Sequence, residues 1–362
     1  NKEVRVLQSN AYPDAEPQIM DVNGTKVMVW IADNTSRTDE NKSMLVYSVY
    51  IEDYDTWSTP RAILDNGMAD YYPVAKDGYV VWQKAVTTFG EGVSLAEVAK
   101  NTEIYISKFD GTSFGTPVRL TTNEILDAQP QIAVSGEEVT VVWTENSDNN
   151  IFGYTGTNAI YQKKFDGQTW SETELLADGL NTVAYLAVGY MNGSNVVAYS
   201  LDEDNDLNTV SDREIYLIRN GQTEQFTDNE TLDSHPEFEK INGSEALFWY
   251  SENNVYYVTD LENRVLNTIS ADGISQLTDA YSILSNGNDT AVLWTTVEDG
   301  VSEIHGALYD GSQWSDDIEI TQEGQSVRYP AGVMEENGDL LIAFNRIQNV
   351  KDGDYYRDGQ AD

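Results

Sequence analysis

The residues able to do chemistry fall into two groups. The first is Asp70, Tyr71, Tyr72, Tyr185, His235, Tyr281, Arg328 and Tyr329: tyrosines interleaved with a carboxylate, a histidine and an arginine. Each tyrosine offers an apolar stacking face and a hydrogen-bonding tip, which suits a sugar or a peptide. The plainer reading is that these rings cap strand ends. The second group is the run Asp202-Glu203-Asp204-Asn205-Asp206-Leu207-Asn208. Asp202, Asp204, Asp206 and Asn208 alternate along it, so one loop can fold four oxygen donors around a hard cation, calcium first among them. Without a cation the run is a solvated acidic loop. Proton-transfer chemistry is poorly supplied. The chain has two histidines, His235 and His305, and no Gly-x-Ser-x-Gly elbow, while its 61 acidic residues are too many for spacing to single out a catalytic pair. His235, beside Pro236, is the one candidate base; His305 falls inside a strand and reads as structural.

What must position these residues is a repeat. Val139-Thr140-Val141-Val142-Trp143 returns as Val27–Trp30, Tyr79–Trp82, Ala246–Trp249 and Ala291–Trp294, with weaker copies at Val196–Tyr199 and Leu341–Phe344. The terminal aromatics stand at 30, 82, 143, 199, 249, 294 and 344, a period near fifty residues. Short strands at that period predict an all-β, seven-bladed β-propeller of four-stranded antiparallel blades in a single domain. The expected blades are 11–64, 65–122, 123–176, 177–227, 228–270, 271–321, and 322–362 completed by 1–10. First strands open with Asp-x-x-Pro at Asp14–Pro17, Asp70–Pro73, Asp127–Pro130 and Asp233–Pro236. Proline there removes a donor where none is needed. Tight turns such as Asn23-Gly24 and Asp77-Gly78 follow, supplying the positive φ of two-residue hairpins. All eight tryptophans fall on second strands or outer hairpins and read as packing residues.

In such a meander the two–three and four–one connections share one face. The long stretches Ile31–Ser43, Gln83–Thr102, Thr144–Asn158, Ser200–Arg213 and Asn345–Asp362 are expected there, over short connections at Ser251–Asn254 and Thr295–Ser302. Function concentrates in long loops on a rigid scaffold, so this face and its channel mouth, where the tyrosine group falls, form the expected binding surface. Glu3–Gln8 resembles an outer strand and is expected to share the last blade with the C-terminus. The third strand of that blade is missing from the repeat arithmetic. It is left to a fold-back of the tail, to residues beyond 362, or to a strand donated by a partner.

Composition narrows the partners. With 61 acidic and 21 basic residues the formal charge is −40, which repels nucleic acid and favours cations, basic protein patches or neutral ligands. The absence of cysteine excludes disulfides and thiolate chemistry. No apolar run approaches a membrane span. A first residue Asn1 leads us to expect that a leader or domain has been removed. Acidic, Asn-, Thr- and Tyr-rich composition is that of an extracellular or cell-surface bacterial protein.

Two resemblances carry further. The hairpins Phe109-Asp110-Gly111-Thr112-Ser113-Phe114, Phe165-Asp166-Gly167-Gln168-Thr169-Trp170 and Tyr309-Asp310-Gly311-Ser312-Gln313-Trp314 resemble the tips of BNR, or Asp-box, repeats of sialidase-like propellers. That resemblance implies a propeller with structural hairpins. The family's arginine triad and Tyr–Glu pair have no matching motif here, and no catalytic residue is carried over. The acidic run resembles Asp-x-Asp-x-Asp-Gly calcium loops, with Leu207 at the glycine position and Arg213 where an EF-hand has its bidentate glutamate. The expected function is recognition of a glycan or protein ligand on the long-loop face. A polysaccharide hydrolase or lyase at the channel mouth, or a structural module of a larger surface protein, are the alternatives.

Overall fold

A computed structural model describes residues 4–8, 15–274, 281–298, 301–321, 326–352 and 355–361, with residues 348–361 as backbone only. The chain is an all-β propeller of antiparallel blades. The first strands are Gln18–Val22, Asp70–Lys76, Leu126–Ser135, Val183–Met191, Asp233–Ile241, Tyr281–Ser285 and Ser326–Met334. Each contacts the next, and Ser326–Met334 meets Gln18–Val22, so they close a ring around a central channel. Alternating-face strands explain why the second strands are nearly continuous apolar runs: each is covered on both sides by neighbouring blades. Trp82, Trp143 and Trp294 are fully buried there. A tryptophan so placed hides roughly 150–250 Å² and contributes about 4–6 kcal/mol before ordering entropy. Close approach is visible where the first strands of blades four and five meet: a Cβ on Gly189 would lie 2.4 Å from Phe238.

The tight turns lie on one face. Asn23 and Gly24 have φ of 52° and 85°, both positive as a two-residue hairpin turn requires. The Asp-Gly hairpins on the outer edge have a local cause as well. Asp110 Oδ1 accepts from the backbone N–H of Thr112 and Ser113, both at 2.8 Å, and Phe109 bridges Phe114 across the turn. Asp166 and Asp310 repeat this arrangement.

The expected seven four-stranded blades are corrected to six. The remaining sheet of the ring has three strands, Ser326–Met334, Leu340–Asp352 and Tyr355–Ala361. Residues 4–8 contain no strand, so sharing of the last blade with the N-terminus is not observed; residues 1–3, 9–14 and 362 lie outside the described residues, Asp14 among them. Nor is Asn345–Asp362 a long loop. Leu340–Asp352 continues past its first-strand partner, and the tail turns back to pair Ile347 with Ala361 and Asp352 with Tyr355. The tail therefore supplies the third strand itself. In blade one the outer position is split between Thr56–Trp57 and Arg61–Ala62, both paired to Ser43–Ile51.

Candidate functional site

Five blades share one backbone feature just before a proline, four of them at the Asp-x-x-Pro motif and one at Tyr329-Pro330. The residue before proline is left-handed: φ is 49° at Glu16, 46° at Tyr72, 52° at Gln129, 52° at His235 and 55° at Tyr329. Pairing skips the last four of these residues, shifting between Tyr71 and Val74, Ala128 and Gln131, Ser234 and Glu237, and Arg328 and Ala331. At these four shifts the strand carries a β-bulge, a device that re-aims side chains. Left-handed backbone on a non-glycine residue costs of order 1–3 kcal/mol, and a following proline already biases the position toward extended backbone.

The bulges are knitted blade to blade. Gln129 N–H donates to Gln83 Oε1 at 3.2 Å on one side, and Gln129 Nε2 to the Val183 carbonyl at 2.8 Å on the other. His235 and Tyr185 rings lie 3.5 Å apart by centroid, and the buried Tyr281 hydroxyl donates to the His235 carbonyl at 2.5 Å. At its other end the channel is crossed. Lys76 Nζ, from blade two, donates to the Phe238 carbonyl of blade five at 2.8 Å and pairs with Glu239 at 3.7 Å. Although burial opposes the charge, Glu239, Asp77 and Glu237 raise the Lys76 pKa and keep it cationic. A cavity of about 670 Å³ surrounds this strut.

Around the mouth stands a wall of loops. Asn41 receives Phe89 N–H and donates to the Phe89 carbonyl, both at 2.8 Å, so one buried side chain imitates a strand pair between the loops of blades one and two. The blade-two loop contains a short helix, Leu95–Lys100, with Ser94 accepting from Glu97 N–H. The sequence reading missed this helix, although Ser94-x-x-Glu97 is a capping-box signature. In blade three, Asn146 and Asn150 side chains accept from the backbone of residues 148, 150, 152 and 153. This fixes Phe152 and Tyr154 outward, 60% and 46% exposed, with their rings stacked at 6.3 Å. The wall is low over blade five, where Ser251 pairs with Asn254, and over blade six, where Glu298 pairs with Val301.

The expected site residues divide. Tyr72 is 58% exposed, and Tyr185, Arg328 and Tyr329 are half-buried. Tyr71 packs against Ala69, Ala85 and Phe89. Asp70 is corrected from ligand contact to framework: it is 1% exposed and accepts from Lys84 Nζ, Trp82 Nε1 and Leu45 N–H at 2.9–3.0 Å. Tyr281 is likewise a strut. Burial, with Arg213 nearby, lowers the His235 pKa to about 3, leaving it neutral and only weakly basic. His305 sits on its strand with Nδ1 2.9 Å from Asp317, as a surface contact. Two carboxyl pairs that spacing did not reveal are held inside the blades. Burial, with Glu145 and Glu103 adding to it, pushes Asp127 up to about 9, and burial beside Asp233 pushes Glu214 up to about 7. Asp127 and Glu214 are 0% and 3% exposed, so neither reaches a ligand at the mouth.

The acidic loop does not wrap as expected. Asp206 Oδ1 is occupied by Asn208, accepting from its N–H at 3.1 Å and its Nδ2 at 2.8 Å. Asp202 and Asp204 instead meet Asp212, with one carboxylate oxygen from each within 4.8 Å of the others. Among the described residues no helix is long and apolar enough to cross a membrane.

No family model matches the sequence, and no curated protein does. Solved structures do. An α-L-arabinanase of Penicillium chrysogenum, complexed with arabinobiose, is 12% identical over 84% of this chain and 97% of its own, with a TM-score of 0.55. A protein of unknown function from Dyadobacter fermentans is 14% identical over 85% and 96%, at 0.54. A sialidase of Trypanosoma rangeli is 11% identical at 0.48; 96% of this chain aligns, but it spans only 53% of the sialidase. At these identities the likeness to the arabinanase and to the Dyadobacter protein is one of fold.

Proposed function

We propose that the protein is a glycan-binding propeller whose ligand sits at the channel mouth on the long-loop face. The observation that carries this reading is left-handed backbone at Tyr72, 58% exposed, and at Tyr329, half-buried, both at bulges of the first strands. Strain of this kind is costly, and strained backbone gathers at ligand sites. Tyr72, and beyond it the Phe152–Tyr154 pair, offer the flat apolar faces on which sugar rings stack. The similar fold of an arabinanase complexed with arabinobiose supports a saccharide as the ligand class. A chain of charge −40 disfavours polyanions, so the ligand is a neutral glycan.

Calorimetric titration with arabino-oligosaccharides and other neutral oligosaccharides tests the reading. Tyr72→Ala and Tyr329→Ala should each weaken binding about tenfold, the equivalent of ~1.4 kcal/mol. Glu224→Ala should leave it unchanged, because Glu224 lies on the outer strand Gln222–Gln225 and pairs with Arg219. Equal behaviour of the three variants, or binding of protein ligands alone, overturns the assignment. Release of reducing sugar during the titration would make the site hydrolytic rather than purely binding.

A further inference from the structure

We infer that Asp202, Asp204 and Asp212 form a calcium site, which ties the loop after the second strand of blade four to the start of its third strand. The first observation is geometric: three carboxylate oxygens from these residues lie within 4.8 Å of one another. Calcium–oxygen bonds of about 2.3–2.6 Å place opposite ligands up to ~5 Å apart, so one ion can touch all three without displacing the loop. The second is independent of the clustering. Asp202 is 0% exposed; its Oδ2 accepts from Arg213 Nε at 2.9 Å, but its Oδ1 is buried with no hydrogen-bond partner among the described residues. Asp212 Oδ1 is in the same condition. Buried carboxylate oxygens left without donors are costly, and polar groups so placed are matched by hydrogen bonds, water or an ion.

Charge leads to the same ion. Three carboxylates against the one guanidinium of Arg213 leave a local charge of −3 + 1 = −2, which a divalent cation balances. All-oxygen ligands on an irregular loop select a hard cation of flexible coordination, which is calcium. The loop is shaped for it by its own hydrogen bonds. Asp204 Oδ1 accepts Asp206 N–H at 2.7 Å, and Asp212 Oδ2 accepts Asp204 N–H at 3.2 Å, drawing the 204 and 212 side chains together. Asp206 is spent on Asn208 and stays outside the site.

The experiment is titration of calcium chloride into chelator-treated protein, read by calorimetry and by thermal melting. Wild type should bind calcium and melt higher with calcium than with chelator. Asp212→Asn and Asp204→Asn should weaken calcium binding at least about tenfold, whereas Asp206→Asn should stay within about twofold of wild type. Asp204 is exposed and Asp212 half-buried, so both variants should fold, and the wild-type titration stands even if one does not. Absence of calcium heat with identical melting curves overturns the site. So does loss of binding in Asp206→Asn with retention in Asp212→Asn, which would restore the alternating wrap.

Discussion

At the scale of single residues the protein carries two buried titrations of opposite sense. Asp127 has its pKa raised from 3.8 to about 9 by burial, with Glu145 and Glu103. Between those values the folded chain holds a proton that the unfolded chain releases, so this group's contribution to stability is lost as pH rises. His235 is the mirror case, lowered from 6.5 to about 3 by burial. Between those values the unfolded chain binds a proton that the folded chain refuses, so stability falls as pH drops. Asp127→Asn keeps the shape of the neutral acid and removes its titration. It should raise the melting temperature at pH 8 by about 2–5 °C and leave it unchanged near pH 4. His235→Phe keeps a ring against Tyr185 and should flatten the acid limb of the same profile. A melting-temperature scan from pH 4 to 9 reads both; unchanged slopes in both variants would remove these groups from the balance. Neither titration was legible in the sequence. Asp127 shows there as one of four similar motif carboxylates, and only packing distinguishes it from Asp70, which has a lysine beside it.

At the scale of elements, Asp70 shows what the Asp-x-x-Pro motif does. Its carboxylate joins three strands: its own, the second strand through Trp82 and Lys84, and the third strand of blade one through Leu45 N–H. Asp233 repeats the indole contact with Trp249 at 3.1 Å. The Lys84–Asp70 pair is wholly buried, with side chains 0% and 2% exposed, so removing one partner strands the other. Lys84→Met should cost about 3–5 kcal/mol in chemical denaturation, and adding Asp70→Asn should recover part of it. A loss below about 1 kcal/mol would show that the staple carries no weight. Blade strands, hairpin turns and the Asp-Gly tips were readable because their signals are local: alternation, positive-φ dipeptides, an Asp two residues before a free N–H. The bulges were half readable. Proline marked the place, but the left-handed backbone before it runs against proline's own bias toward extended backbone, so no local signal encodes it. The last sheet misled the repeat count in a different way. Asn345, Asn349 and Asp352 read as loop residues, yet Asn345 pairs back to Arg328 of the first strand while Asn349 and Asp352 pair with Asp358 and Tyr355 of the tail, so that stretch is a strand.

At the scale of the whole molecule the question is where the ring is weakest. Six of its seams are filled by clusters that take buried apolar residues from both neighbouring blades, as Val81 and Ile104 of blade two meet Ile132 and Trp143 of blade three. The closing seam differs. The cluster beside it, Ala15, Trp30, Ala32 and Val46, draws all its buried members from blade one and its preceding segment, with Leu7 packed against it. Between that cluster and Leu341–Arg346 lies a groove of about 640 Å³. The described polar ties across the seam include Lys26–Glu335 at 2.9 Å, and Trp30 Nε1 donates to Gln8 Oε1 at 2.7 Å within the N-terminal side. A surface ion pair contributes about 0–1 kcal/mol, far less than an interdigitated aromatic layer. The ring should therefore open here first. Local opening follows the density of buried apolar contact, and hydrogen exchange reports it strand by strand. Amides of Gln18–Val22 and Ser326–Met334 should exchange at least about tenfold faster than those of Leu126–Ser135 and Val183–Met191, equivalent to ~1.4 kcal/mol less opening energy. Lys26→Ala should widen that gap by about 0.5–1 kcal/mol and leave blades three and four unaffected. Uniform protection around the ring, or a response to Lys26→Ala spread over all blades, would mean that the propeller opens as one unit and that the closing seam is as strong as the rest.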